Sequence, residues 1–267
     1  MAKYIHKFDN AFDFEDVYFG EDYDTPWVSL IHTDNDNSYF DNTLFYNKYR
    51  PNGYDYVDLG LPSGNMWATC NVGAENPEDE GDYFSWAEVS PKSDYSWNTL
   101  KYYHNSNPIY FTKYSWDSSY PCDYLDTLEK KDDAACVNMK GSWSMPNIDD
   151  YDELKDYTTQ TYVEVNGQHC MKFTSANGNY IIFPGSGWLQ DTVKEYYDEG
   201  YSTALWMNHV YVSSDEYAQY FSIKMCNYVN GHVVYGVVGD IVDDINLRNQ
   251  GLQVRGVMKP PSRIILK

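Results

Sequence analysis

The 267-residue chain is long enough for one large domain, and its formal net charge of −21 predicts repulsion from nucleic-acid phosphates and anionic lipid surfaces. We therefore expect neither nucleic acid as a partner nor insertion into a membrane. Aromatic residues make up 18% of the chain and include 28 tyrosines, a residue type frequent in strands and at recognition surfaces. The five cysteines lack CxxC spacing, which favours free, buried thiols over a zinc site or a disulfide framework.

Residues 1–53 form a segment rich in aromatic and acidic side chains. Apolar runs over Thr25–Ile31 and Phe40–Tyr49, separated by a polar turn over Thr33–Ser38, predict a hairpin. Because an isolated hairpin is not stable in water, we predict that this segment docks onto the main domain, onto another copy of the chain or into a larger assembly. The side chains expected at that contact are Phe8, Phe12, Phe14 and Trp27.

The main domain is predicted over residues 54–258. It opens with short strands, including Met66–Val72, and continues into a long irregular insertion over residues 89–123. Two short helices are expected next, one over Glu129–Met139 and one that begins after Pro146. Asn147 is a favourable N-cap for the second helix.

The later part of the domain reads as strands separated by tight turns. The predicted strands are Tyr162–Val165, Gln168–Thr174, Tyr180–Pro184, Thr203–Ser213, Ala218–Cys226, His232–Val238 and Leu252–Met258. Two early helices followed by many antiparallel strands predict an α+β domain. Residues 259–267 form a basic and apolar C-terminal tail that we expect to pack against something.

Several segments resemble the domain called the Fibrobacter succinogenes major paralogous domain, found in gut Bacteroidetes and their phages. Their order and spacing agree over about residues 54–258. The matching segments are Tyr56–Gly64, Met66–Ala74, Gly81–Glu88, Asp132–Ala135, Gly141–Pro146, Phe183–Gly187, Leu205–Trp206, Ser213–Tyr217 and Arg248–Val257. The chain departs from the family at Ser144, where arginine is common, and at Val212, where tryptophan is common.

That family is similar in fold to C-type lectins and to formylglycine-generating enzymes. The resemblance implies a C-type-lectin-like domain that recognises ligands on a loop-covered scaffold. The enzymes of that group need a pair of reactive cysteines late in the domain, whereas Cys226 is the only cysteine after Cys170 here. We therefore expect a non-catalytic protein, and no common hydrolase, P-loop or dinucleotide motif is present.

The N-terminal stretches Tyr4–Phe8 and Pro26–Ser29 resemble the opening of proteins of Bacteroides phages and prophages. The first residues also hold no apolar run of the length that a signal peptide needs. Both features predict a virion protein made in the host cytoplasm, such as a fibre, tail or capsid-decoration component. Its expected partners are other virion proteins or sister subunits, and we expect a homo-oligomer.

The ligand surface is predicted in the late loops of the domain, facing a glycan or protein of the host surface. The residues expected there are Tyr211, Ser213, Asp215, Tyr217, Tyr220, Tyr228 and Tyr235. No cofactor is expected apart from calcium, for which Asp240, Asp243 and Asp244 are candidate oxygen ligands. A solvated acidic loop is the favoured interpretation of those three residues.

The tryptophans divide into two groups. Trp67, Trp86, Trp143 and Trp206 lie within family motifs and are predicted in the core. The candidates for exposed contacts are Trp97, Trp116 and Trp188, which lie in polar, irregular stretches. Arg255, in the closing strand, is predicted to pair with a buried carboxylate.

Three alternatives to the virion-receptor hypothesis stay open at this stage. A bacterial surface or secreted adhesin is the first, and a purely structural virion protein is the second. A carbohydrate-active enzyme is the third, and it would require two carboxylates held about 5–10 Å apart in a cleft.

Overall fold

A computed structural model describes residues 32–34, 37–39, 54–105, 110–116, 120, 122–195, 200–230 and 232–258. The predicted contact residues Phe8, Phe12, Phe14 and Trp27 lie outside the described residues, as does the tail over 259–267. At the N-terminus, the backbone of His32–Asp34 pairs with that of Asn37–Tyr39. The turn between them is therefore shorter than the predicted one, since Thr33 and Ser38 are already paired.

The described strands are short and are paired almost entirely in antiparallel fashion. In chain order they are β1 His32–Asp34, β2 Asn37–Tyr39, β3 Tyr56–Asp58, β4 Met66–Asn71, β5 Tyr103–His104, β6 Tyr110–Phe111, β7 Trp143–Ser144, β8 Thr158–Val165, β9 Gln168–Ser175, β10 Tyr180–Pro184, β11 Trp188–Gln190, β12 Val193–Glu195, β13 Ser202–Val210, β14 Tyr217–Lys224, β15 Cys226–Val229, β16 His232–Tyr235, β17 Ile241–Leu247 and β18 Arg255–Met258. Together with two α-helices they make the sheet-rich α+β architecture that the sequence predicts.

Both predicted α-helices are present. The first is interrupted, because a 3₁₀ turn at Lys130–Asp132 precedes α1, Ala134–Met139, with Asp133 between them as N-cap. The second, α2, spans Ile148–Asp156. Asn147 caps it as predicted, through a reciprocal capping box with Asp150.

The central sheet has the order β13–β14–β17 and separates two apolar clusters. Alternate residues of one strand face opposite sides of a sheet, and here both sides are covered. In β13, Trp206 belongs to one cluster and Leu205 to the other; in β14, Tyr220 and Phe221 divide in the same way. The ring of Tyr151 from α2 stacks on Phe221 with 4.1 Å between ring centroids. The central sheet is thus held rigidly from both faces.

The four tryptophans predicted in the core, Trp67, Trp86, Trp143 and Trp206, lie there, and none is more than 1% exposed. Two of them also satisfy distant backbone carbonyls. Trp86 donates to Met207 O at 2.8 Å, and Trp206 donates to Phe84 O at 2.7 Å. These bonds fix the segment around residue 86 against the central sheet.

Arg255 lies in the sheet ordered β3–β4–β18–β7 and is fully buried. The prediction of a carboxylate partner is wrong. The guanidinium donates to Asn71 Oδ1 at 2.8 Å, and its other contacts are backbone carbonyls and the ring face of Phe183 at 4.6 Å. The carbonyl acceptors are those of Ala68, Thr69 and Ile182. Neutral acceptors therefore satisfy this cation, and burial lowers its pKa to about 10.

Burial of the Asp133 carboxylate makes the free energy of unfolding depend on pH. Its carboxylate is 4% exposed and accepts from the backbone N–H groups of Cys136 and Met145, each at 2.8 Å. Burial raises the pKa of Asp133 to about 6 from its ordinary value of 3.8, although these bonds act in the opposite direction.

Because the folded state holds this proton more tightly than the unfolded state, the contribution of Asp133 to stability is fully present below pH 3.8 and is lost as the pH rises through about 6. The unfolding free energy of the wild type, relative to that of Asp133→Asn, should therefore fall between pH 4 and pH 6.5. Urea titrations of both proteins across this range measure the difference. A flat or rising difference would contradict the assignment.

Candidate ligand-binding cleft

The turn that joins β13 to β14 carries three of the residues predicted to bind ligand, Tyr211, Ser213 and Asp215, and a fourth, Tyr217, begins β14. Tyr211 N–H donates to Tyr217 O at 3.0 Å, and Tyr217 N–H donates to Ser214 O at 3.1 Å. Ser213 and Asp215 lie between these bonds. The turn therefore projects polar side chains from the end of the rigid central sheet.

The insertion predicted over residues 89–123 folds back onto this turn. Asp215 receives Ser115 Oγ at 2.7 Å on one carboxylate oxygen and Trp116 N–H at 2.8 Å on the other. Asp123 accepts in a similar manner from the backbone N–H groups of Tyr114 and Ser115, both at 3.0 Å. Two carboxylates thus hold the Tyr114–Trp116 backbone in place.

A cleft of about 460 Å³ lies between the insertion and the turn. This volume falls within the range of about 300–1,000 Å³ that is typical of small-ligand sites. Its lining residues are Tyr110, Phe111, Ser115, Trp116, Tyr120, Val212, Ser213, Ser214, Asp215 and Glu216. The insertion supplies the aromatic wall, and the turn supplies mostly hydroxyl and carboxylate groups.

The aromatic wall is built from stacked rings. Tyr110 stacks on Tyr120 with 5.5 Å between ring centroids and on His104 with 4.6 Å. Trp116 meets Tyr124 edge to face at 5.6 Å. Because Tyr110, Trp116 and Tyr120 are only half-buried, part of their ring surface is open to solvent. A half-open aromatic wall opposite polar groups suits a ligand with apolar and hydroxylated surfaces.

Arg248 supports the cleft from the protein interior. It is fully buried, with its guanidinium carbon 4.3 Å from the centroid of the Phe111 ring. It donates to Tyr114 O at 3.1 Å and to Asp215 O at 3.0 Å, which ties the insertion and the turn to one side chain. Burial lowers its pKa to about 9, while nearby Asp215 favours the charged form.

Behind the aromatic wall, Asp132 organises a buried polar cluster. Its side chain is fully buried and receives Lys101 Nζ at 2.7 Å, Tyr102 Oη at 2.8 Å and Tyr114 Oη at 2.7 Å. Lys113 binds it at 2.5 Å. Burial alone would raise the pKa of Asp132, but these four donors hold it well below its usual range. One carboxylate thus anchors two segments of the insertion, residues 101–102 and 113–114.

The predicted ligand residues lie in different parts of the domain. Tyr220 is in the core at 8% exposure, so its assignment to the ligand surface is wrong. Tyr235 packs against Tyr201, with the two rings tilted by 37°, at the opposite end of β14, roughly 24 Å from the turn for a strand of this length. Tyr228 lies on β15, and its side chain is outside the described part. Of the predicted ligand residues, Ser213 and Asp215 are among the described residues that line the cleft, whereas Tyr211 and Tyr217 flank the turn outside the lining.

Residues 240–244 differ from the acidic loop that the sequence predicts. Asp243 and Asp244 belong to β17, which pairs with β14 in full register, and consecutive strand residues point to opposite faces. The two carboxylates therefore do not converge on one point, as the predicted calcium ligands would have to. The described residues contain no cluster of three or more metal-ligating acidic, histidine or cysteine side chains.

The three tryptophans predicted to make exposed contacts have mixed outcomes. Trp116 lines the cleft, as expected of an exposed contact residue, whereas Trp188 is 8% exposed and belongs to the core. Trp97 is half-buried against Tyr103. Sequence reasoning missed Tyr110 and Tyr120, although the dense tyrosines of the insertion were the available signal.

Comparison with known proteins returns no match, either to a family model, to a curated protein or to a solved structure. Within the described part of the chain, no helix is both long and apolar enough to cross a membrane. All five cysteines are free, and Cys170 and Cys226 are buried.

Proposed function

We propose that this chain is a non-catalytic component of a bacteriophage particle whose C-type-lectin-like domain binds a glycan of the host surface. The observation that favours this function is the cleft, in which Tyr110, Trp116 and Tyr120 face the polar turn over residues 213–216. Aromatic rings offer flat apolar surfaces to the C–H face of a sugar, the serine hydroxyls of the turn can donate and accept hydrogen bonds with its hydroxyls, and a carboxylate can accept from them.

The size of the cleft favours a glycan over a protein ligand. A stable protein–protein contact buries about 800 Å² on each partner over a broad surface. A concave site of about 460 Å³ fits one or a few sugar rings instead. The rest of the proposal draws on the resemblance to the Fibrobacter succinogenes major paralogous domain and on the phage-like N-terminal stretches.

The non-catalytic part of the proposal is supported by the bonding of Asp215. Both of its carboxylate oxygens already accept hydrogen bonds from the insertion. An acid–base pair of a glycosidase needs two carboxylates that are available to the substrate. Asp215 instead positions Ser115 and Trp116, and Glu216 is the other acid among the described residues that line the cleft.

Replacement of Trp116 by alanine tests the ligand site. We expect binding of fluorescently labelled protein to intact gut Bacteroidetes cells to weaken tenfold to a hundredfold, which corresponds to about 1.4–2.8 kcal/mol. Tyr120→Ala should have a similar effect through the same wall. The matched control is Tyr157→Ala, which removes an aromatic ring that is 58% exposed at the end of α2.

Treatment of the cells separates the two ligand classes. Periodate, which cleaves vicinal diols of sugars, should abolish binding, and protease treatment should leave it unchanged. Equal binding by wild type, Trp116→Ala and Tyr120→Ala would reject the cleft as the ligand site. Loss of binding after protease alone would indicate a protein receptor.

A further inference from the structure

The charged side chains that line the cleft all have the same sign. Asp215 and Glu216 are acidic, and no lysine, arginine or histidine is among the described residues of the lining. The sequence adds none in the adjoining segments, since residues 105–112, 114–122 and 211–217 contain no Lys, Arg or His. The lining described here therefore offers no cationic group with which an acidic sugar could pair.

Three basic side chains lie near the cleft without reversing this sign. Lys113 is bound by two carboxylates behind the aromatic wall. His104 lies flat against a ring of the wall and is outside the lining. Arg248 is fully buried, and its guanidinium interacts electrostatically with Asp215. Arg248 thus offsets one acidic charge of the cleft, and that of Glu216 is left.

Glu216 differs from Asp215 in being available to a ligand. The two oxygens of Asp215 already accept from Ser115 and Trp116. The side chain of Glu216 is exposed, and no hydrogen bond or ion pair joins it to the described part of the chain. Its backbone is held in place, because Glu216 O accepts from Arg248 N–H at 2.9 Å. Since a carboxylate only accepts hydrogen bonds, a donor on the ligand is its natural partner.

The aromatic wall opposite the turn attracts the same kind of group. The faces of tryptophan and tyrosine rings carry negative electrostatic potential, which attracts an ammonium group. Trp116 and Tyr120 line the cleft and are only half-buried. The chain makes this contact elsewhere, where Lys172 Nζ lies 3.8 Å from the centroid of the Tyr180 ring. A ligand ammonium in the cleft would gain from both the rings and Glu216, whereas a neutral acetamide would lose most of this attraction.

We propose that the sugar bound in the cleft carries a free, protonated amine, which binds between Glu216 and the rings of Trp116 and Tyr120. The ligand class is an amino sugar whose nitrogen is not acetylated. This inference rests on the proposed glycan-binding function and names the substituent that the cleft recognises. The net charge of −21 acts in the same direction, since it repels glycans that carry carboxylate or sulfate groups.

The test removes the charge of the amines and leaves the sugars in place. Gut Bacteroidetes cells are treated with protease, and one portion is then treated with acetic anhydride in aqueous buffer, which converts free amines to neutral acetamides. Binding of the labelled wild type should be about tenfold weaker on the acetylated cells, from the combined loss of the ion pair and the ring contact. Trp116→Ala should bind weakly to both portions.

Glu216→Gln separates recognition in the cleft from general repulsion, because acetylation also makes the whole cell surface more acidic. Acetylation should weaken binding of this variant by less than about threefold, since the ion pair is already absent. The matched control is Glu164→Gln, the same change at an exposed position of β8. Glu164 is opposite His169, whose ring stacks on Tyr201 at the end of the central sheet far from the cleft. Glu164→Gln should therefore respond to acetylation as the wild type does.

Equal binding of the wild type to acetylated and untreated cells would overturn the inference. The glycan-binding function would still stand in that case, provided that binding is lost in Trp116→Ala. An equal loss on acetylation for the wild type and Glu216→Gln would also overturn the inference, since general repulsion would explain it. Failure of the proposed function is distinct, because Trp116→Ala would then bind untreated cells as the wild type does. Circular dichroism establishes that each variant is folded.

Discussion

Replacement of Asp132 by alanine is expected to lower the free energy of unfolding by about 3–5 kcal/mol, the usual cost of removing one partner from a buried ion pair. The variant would leave Lys113, which is largely buried, and the hydroxyls of Tyr102 and Tyr114 without their acceptor. Since these donors belong to the insertion, the aromatic wall of the cleft should lose its position as well. Guanidinium denaturation measures the first effect, and binding to cells measures the second.

Glu129→Ala is the matched control for this variant. Glu129 also binds Lys113, but its side chain is 46% exposed, so water replaces the carboxylate and little change in stability is expected. If Asp132→Ala were no more destabilised than Glu129→Ala, Asp132 would not be the anchor of the insertion.

The second large effect is expected at Arg255. Arg255→Lys keeps the charge but cannot reproduce the planar set of donors that serves Asn71 Oδ1 and three backbone carbonyls. At least two buried acceptors would be left unsatisfied, at about 1–3 kcal/mol each, so we expect destabilisation of about 2–6 kcal/mol. Arg255→Met should be more damaging than Arg255→Lys, because it satisfies none of these acceptors.

Equilibrium unfolding of the two Arg255 variants checks this order. Lys155→Met provides the comparison, since Lys155 is a half-exposed cation paired with Asp152 on the surface of α2, where an ion pair contributes little. An Arg255→Lys variant as stable as the wild type would show that the carbonyl acceptors do not depend on the guanidinium.

The sequence correctly predicted those features that depend on interactions between residues close together in the chain or on a general preference for burial. Asn147, directly after Pro146, predicted the start of α2, and the strand Tyr180–Pro184 has the predicted bounds. The core positions of Trp67, Trp86, Trp143 and Trp206 agree with the general preference of large aromatic rings for burial. In each case the deciding interaction lies within a few residues or is a general preference for burial.

Contacts between distant residues explain most of the errors. Tyr220 looked like a ligand residue, but the central sheet is covered on both faces, so neither side of β14 is free. The acidic run at Asp243 and Asp244 looked like a loop, although an edge strand tolerates carboxylates. The cleft depends on Asp215 reaching Trp116 across 99 positions, a pairing that no local pattern indicates.

The central claim is that this chain is a virion component whose domain faces the host. Mass spectrometry and cryo-electron microscopy of particles purified from a lysed host culture test it most directly. We predict stoichiometric amounts of the chain on the particles, with the cleft between Trp116 and Ser213 open to solvent. Absence from the particles together with presence on intact uninfected cells would contradict the account and identify a bacterial adhesin instead.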